Sequence, residues 1–220
     1  GALTTHAELA RNTLISRHAP LLAEGAKLIA HAAIRNLGTI GGSLAFADPA
    51  AELPACCVAL EATILTRSAK GERRIAADQF FTGLYTTALA TDELIVAVEV
   101  PKARADERSA IDEVTRRRGD YAMAGVAVRA RLAGGAFAGA RIAFFGVGDG
   151  PVRADGAMQA LDGKSANAGT IAAAQAALDR DLDPPGDQHG TPATKRHLAR
   201  VVLGRALSRV AGIGGAGGPA

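Results

Sequence analysis

The chain is predicted to be an α+β protein of two domains, and three observations carry that prediction. Leu21, Leu22, Ala26, Ile29, Ala30 and Ala33 recur at helical spacing in the first part of the chain. Strands precede helices in the second half, where Val126-Ala127-Val128-Arg129-Ala130-Arg131-Leu132 alternates with period 2. Between them, beyond Pro101, Lys102 to Arg108 is charged and exposed in character, which marks a boundary. The expected units are 1–105 and 106–212, followed by a flexible tail at 213–220.

Taken in order, Gly1-Ala2-Leu3-Thr4 reads as the end of a strand that starts before the sequence does. Thr5 can cap a short helix at His6–Ala10, and Pro20 opens a longer helix whose apolar face runs to Ala33. A glycine-rich stretch, Arg35 to Leu44, follows. Asp48 then suits a helix N-cap with Pro49 at the first helical position, and that helix runs to about Leu60. Ala62–Thr66 and Arg73–Ile75 form a hairpin around Lys70-Gly71-Glu72. Asp78 caps a short turn carrying Phe80 and Phe81, and Leu94–Val100 is the clearest strand, ended by Pro101. Three strands are expected at Ala110–Arg117, Ala124–Leu132 and Ala140–Val147, in a sheet with one covered and one wetter face. Helices at Ala154–Leu161, Ala166–Leu178 and Thr194–Val210 cover it, with a Pro- and Gly-containing loop at Asp181–Thr191.

Composition excludes several classes of function. No apolar run approaches the roughly 18 residues needed to cross a bilayer, and the start carries neither Met nor a signal peptide. A soluble, cytoplasmic protein is expected. The net charge of +3 is small, the basic residues are scattered apart from Arg116–Arg118, and aromatics are too few for stacking platforms, so nucleic acid is not the expected partner. Cys56 and Cys57 are adjacent, with no second pair to complete a metal ligand set, and read as buried, reduced thiols on a helix. His6, His18, His31, His189 and His197 share no metal-ligand spacing and read as surface or capping residues. No metal site and no catalytic acid–base or nucleophilic set is assigned.

Two turns remain as candidates. Gly146-Val147-Gly148-Asp149-Gly150 lacks the Lys-Ser/Thr of a phosphate loop and reads as a strand-ending turn. The Arg116–Arg118 triple reads as alternating in and out of a strand, and Gly119-Asp120 then projects Tyr121. That ring either packs against a flat ligand or sits in the core. The strongest candidate is Thr39-Ile40-Gly41-Gly42-Ser43, whose nearly bare backbone can turn N–H groups toward a flat or phosphorylated ligand.

Together these residues resemble the FAD-binding medium subunit of the molybdenum hydroxylases, the family of aerobic carbon monoxide dehydrogenase and xanthine dehydrogenase. The marks are Ile34 to Ser43 followed by Ala47-Asp48-Pro49-Ala50-Ala51-Glu52-Leu53-Pro54, the opening Gly1 to Leu9, Asp92-Glu93-Leu94-Ile95 with Val100-Pro101, and Arg117 to Ala122. They cover most of the chain in the family's order. The resemblance implies FAD as cofactor, bound by the first domain, and a smaller second domain with an antiparallel sheet covered by helices. It places Thr39, Ile40, Gly41, Gly42 and Ser43 along the FAD with their backbone near the pyrophosphate, and counts Asp48 with them. Glu52 falls near the adenosine end, Ile95 lines the flavin site, and Tyr121 lies beside the isoalloxazine, as in the carbon monoxide dehydrogenase-like branch.

The implied partners are an iron–sulfur subunit and a molybdenum-cofactor large subunit, in a heterotrimeric unit that can dimerise. The implied role is relay: electrons pass from the iron–sulfur subunit through FAD to an external acceptor. The family's first FAD motif, Ala-Gly-Gly-(Gln/His)-Ser, is absent, so the chain is expected to be truncated at its N-terminus and its FAD domain incomplete; Phe46 also replaces a polar residue common in relatives. Two alternatives stand beside this. One is another flavoprotein of the same fold, such as a UDP-N-acetylenolpyruvoylglucosamine reductase-like enzyme, whose Gly-Thr-(Val/Ile)-Gly-Gly run usually continues differently. The other is a truncated, non-catalytic scaffold.

Overall fold

In the computed structural model, which describes residues 1–188 and 190–213, helices fill the first part of the chain. Thr5 accepts the Glu8 N–H at 3.1 Å and caps α1 (His6–Arg11). Asn12 caps α2 (Thr13–His18), a helix too short to announce itself by periodicity. Pro20 opens α3 (Pro20–Leu28) as expected. The helix does not reach Ala33. Ala30 turns to a φ of +38°, and α4 (Ala32–Leu37) starts afresh. Arg35 donates to the carbonyls of Ile29 and Ala30 at 2.7 and 2.8 Å, satisfying the broken end of α3.

The glycine stretch is itself helical: α5 (Ile40–Phe46) starts at Thr39 and ends where Ala47 takes a φ of +52°. Asp48 does not cap the next helix. It accepts the Ala50 N–H at 2.8 Å, a local turn that leaves Pro49 and Ala50 outside, and α6 (Glu52–Ala59) begins after Ala51.

β1 (Thr63–Ser68) and β2 (Gly71–Ala76) form the expected hairpin. After α7 (Ala77–Phe80), β3 (Phe81–Gly83) and β4 (Thr86–Thr87) make a small separate ribbon. β5 (Leu94–Glu99) completes an antiparallel sheet of order β2-β1-β5. Gly1–Thr4 is not a strand end. Ala2 donates one N–H to the Val96 carbonyl at 3.0 Å, and the carbonyls of Ala2 and Thr4 are used by α5 instead.

The second half is a four-stranded antiparallel sheet, β6 (Glu107–Thr115), β7 (Ala122–Ala133), β8 (Ala136–Phe145) and β9 (Val152–Arg153), in that order. Arg116–Arg118 lies in the turn after β6, not in a strand, because Gly119 at φ +78° reverses the chain and Asp120 pairs with Arg116 and Arg117. Helices α8 (Asp155–Leu161), α9 (Ala168–Asp181) and α10 (Pro192–Ala211) follow as anticipated. Buried Lys195 of α10 donates to the Gly146 carbonyl at 2.9 Å and pairs with Asp187 at 2.6 Å, pinning the turn after β8. Of the expected tail only Ile213 lies within the described residues, and His189 lies outside them.

The expected wetter face is itself covered over part of its area, while Arg131 and Arg141, each with a 37% exposed side chain, keep its far end open to solvent. Val126, Val128, Ile142 and Phe144 pack under α8–α10, while Ala127, Ala143 and Phe145 join the core around α3 and α6. Small residues permit this double cover. A Cβ on Gly125 would fall 2.2 Å from the Phe145 ring, so glycine there makes room for that side chain. Arg129 is only 13% exposed: it donates to the Ala59 carbonyl at 2.8 Å and pairs with Glu61 and Glu107. Leu53 to Ala59 of α6 are all buried, which suits a helix held between α3 and the sheet. Cys56 and Cys57 are free and fully buried there, and burial pushes the Cys57 thiol up to about 12. No described helix is long and apolar enough to cross a membrane.

Candidate functional site

The N-terminus of α5 is closed, not open. The Ile40 and Gly41 N–H groups donate to the carbonyls of Thr4 and Ala2, at 3.0 and 2.8 Å. The Gly42 N–H donates to Thr39 Oγ1 at 3.1 Å, and the Ser43 N–H to the Thr39 carbonyl at 3.0 Å. Every donor of the first turn is therefore engaged, and the expected cradle of free backbone N–H groups is absent here. The glycines have different reasons to be small. A Cβ on Gly41 would lie 2.7 Å from the Ala2 Cβ and 2.8 Å from its carbonyl oxygen, so Gly41 serves close packing of the opening segment. A Cβ on Gly42 meets only Thr39 Oγ1, at 3.1 Å.

Gly42 and Ser43 face a cavity of about 400 Å³ between the helices and the turn after β6. Its apolar walls are Ile29, Ile34, Phe46 and the Tyr121 ring; Asp48, Glu52 and His6 bring polar groups, and Ala30, Ala51, Gly119 and Asp120 complete it. Tyr121 is 64% exposed, which settles the choice left by the sequence: the ring is outside the core. Phe46, also exposed, lies 5.2 Å from Tyr85 between ring centroids. Among the described residues with a Cβ, Ala30, Ala47, Glu61 and Tyr85 take left-handed backbone, at φ +38°, +52°, +53° and +51°; Ala30 lines the cavity and Tyr85 its aromatic rim.

The charges here are unusual. Burial, with the negative charge of Asp48 adding, pushes the Glu52 carboxyl up to about 7. Behind it, burial pushes Glu113 of β6 up to about 8, with Glu52 and Asp112 adding. Near neutral pH a protonated Glu52 can donate a hydrogen bond as well as accept one. Burial also raises the Tyr121 phenol, with Asp48, Tyr85 and Glu52 adding, which places those groups beside it.

Chemically, the cavity suits a flat aromatic ring: apolar walls, an aromatic side chain at the mouth and a few convergent polar groups. An isoalloxazine fits that description. For a diphosphate, the described residues of α5 keep no free first-turn N–H. Of the residues singled out by sequence, the structure brings Gly42, Ser43, Asp48, Glu52 and Tyr121 to one cavity. Thr39 stands behind as the cap of Gly42. Ile40 and Gly41 are buried away from it, and Ile95 packs against the core of the first half. Ile29, Ala30 and Ile34 were missed, because a helix expected through Ala33 hides the break that exposes them. His6, expected at the surface, is 6% exposed. Its signal was only the neighbouring cap, Thr5.

Comparison with known proteins gives a consistent result. Residues 1–103 match the family described as FAD binding domain in molybdopterin dehydrogenase. Residues 109–210 match the CO dehydrogenase flavoprotein C-terminal domain. The 6-hydroxypseudooxynicotine dehydrogenase complex subunit alpha of Paenarthrobacter nicotinovorans is 40% identical over 210 residues, 95% of this chain and 71% of that protein. The carbon monoxide dehydrogenase medium chain of Hydrogenophaga pseudoflava is 35% identical over 208 residues, 94% of this chain and 72% of that one. Among solved structures, carbon monoxide dehydrogenase from Hydrogenophaga pseudoflava aligns with a TM-score of 0.93 at 37% identity, over 96% of this chain and 73% of that one. Quinoline 2-oxidoreductase from Pseudomonas putida 86 aligns at 0.90 and 34% identity, over 97% and 74%.

Proposed function

Because the chain belongs to the FAD-binding medium subunits of the molybdenum hydroxylases, we propose that it relays electrons from a partner iron–sulfur subunit, through FAD, to an external acceptor. FAD is its cofactor, and the chain is a subunit of an oxidoreductase complex. The other partner is the molybdenum-cofactor large subunit, on which substrate is chosen. We divide the chain into a FAD-binding domain, 1–105, and a C-terminal α+β domain, 106–212.

One observation carries this reading: a solvent-open cavity with apolar walls joins the glycine-run helix to Tyr121, two elements from opposite halves of the chain. Bound there, FAD supplies electron-transfer chemistry that side chains lack. Tyr121 and Phe46 cover flat surface, and Ile29 and Ile34 keep water from it. Gly42 leaves room that a side chain would fill, and Ser43 offers a hydroxyl. Asp48 and Glu52 set the polar edge, with the raised Glu52 carboxyl as a proton donor near neutral pH. Thr39, Ile40, Gly41 and Ile95 act from behind, by holding the helix and sheet that carry the wall.

The complex purified from its source with its partner subunits should carry FAD in equal number to this chain, with visible bands displaced from those of free FAD. A complex with its iron–sulfur centres intact but no flavin would overturn the assignment.

A further inference from the structure

His6 is the one described side chain that is both buried and part of the cavity wall while also holding the glycine-run helix. Its backbone N–H donates to the Gly38 carbonyl at 2.9 Å. Its ring Nε2 lies 3.0 Å from the Thr39 carbonyl oxygen. A carbonyl only accepts, so Nε2 carries the proton and Nδ1 is left with a lone pair. Nδ1 is buried and has no partner. It is covered by Gly38, where an added Cβ would fall 2.9 Å from Nδ1 and 2.8 Å from Cε1. Thr39 is the acceptor that matters: its carbonyl also takes the Ser43 N–H, and its Oγ1 takes the Gly42 N–H.

We propose that His6 is a positioning residue for the cofactor: by donating Nε2–H to the Thr39 carbonyl, it holds Thr39 in the pose that sets Gly42 and Ser43 against the flavin. The proposal rests on the reading of this cavity as the FAD site. It assigns no contact between His6 and FAD.

The arrangement also makes cofactor retention sensitive to acid. A second proton would sit on Nδ1, against the Gly38 α-carbon, with nothing to accept it. Burial lowers the imidazole below its ordinary 6.5; the Thr39 carbonyl opposes this and Arg35 of α4 reinforces it. Glu8 and Arg11 of its own helix and Glu24 and Lys27 of α3, which packs against it, are exposed, and Asp48, Glu52 and Asp120 line the same cavity. Because the clamped state has the lower pKa, it is favoured above 6.5 and is lost as pH falls through its depressed value. Glu52 titrates in the same cavity, so the His6 contribution must be read as a difference between variants.

The test compares the flavin-loaded complex with H6F, which keeps a ring without a donor, and H6Q, which restores a donor without a titration near neutral pH. Bound FAD is measured by released-flavin fluorescence across pH 5 to 8. H6F should bind FAD about tenfold less tightly at pH 7.5, and H6Q should recover most of that loss. The wild type should shed flavin on the acid side along a limb that H6Q lacks. Equal retention by wild type and H6F, or an identical acid limb in wild type and H6Q, overturns the proposal. If H6F fails to fold, the wild-type and H6Q limbs decide alone. A wild-type complex with no FAD would instead overturn the underlying cofactor reading.

Discussion

Gly42→Leu should strip FAD from the protein while leaving its fold intact. A Cβ at this position meets one atom, Thr39 Oγ1 at 3.1 Å, and the rest of the side chain enters the cavity of about 400 Å³. Leucine also suits a helix better than glycine, by about 0.5–1 kcal/mol, so α5 itself is not weakened. Filling the space a flat ring needs should lower affinity on the order of 100-fold, about 2.7 kcal/mol. Gly41→Leu makes the contrast. Its Cβ collides with Ala2, whose carbonyl accepts the Gly41 N–H, so the opening segment must move. Overpacking of that kind costs about 1–3 kcal/mol of stability. Thermal unfolding and flavin content, measured on both variants, separate the two roles: both lose flavin, but only Gly41→Leu loses stability.

Arg129→Met should be the most damaging change outside the cavity. Arg129 ties β7 to the end of α6 through the Ala59 carbonyl and Glu61, and neutralises Glu107, whose side chain is 10% exposed. Methionine preserves apolar length but leaves Glu107 buried without its partner. Breaking one side of a buried pair costs about 3–5 kcal/mol; with Glu61 half exposed, about 2–3 kcal/mol is expected. Urea denaturation reads this directly. The same junction fixes Tyr121 relative to Gly42, so flavin affinity should fall with stability.

Much of this organisation is legible in residue patterns, and the exceptions share a cause. Pro20, Thr5, the Lys70–Glu72 turn and the alternation in β7 are local signals, and each element they mark is present. The break at Ala30 is not local: a non-glycine residue holds left-handed backbone because Arg35 caps the carbonyls around it. The Asp48-Pro49 pair looks like a helix start, but Asp48 spends its carboxylate on Ala50. Of the cavity lining, Gly42, Ser43, Asp48, Glu52 and Tyr121 could be singled out from motif alone. What the motif hides is that Gly41 packs inward, because its neighbour in space is Ala2, and that Ile29 and Ile34 form the wall. Histidine spacing is uninformative for His6, whose role depends on a carbonyl 33 residues away.

The relay itself is tested most directly by rapid mixing of the complete complex with its reducing substrate in the absence of oxygen, following the iron–sulfur and flavin bands together. The flavin band should bleach after the iron–sulfur bands. In the Gly42→Leu complex, cluster reduction should persist while the flavin phase and turnover with the external acceptor disappear. Undiminished turnover with that acceptor in the flavin-free complex would contradict it.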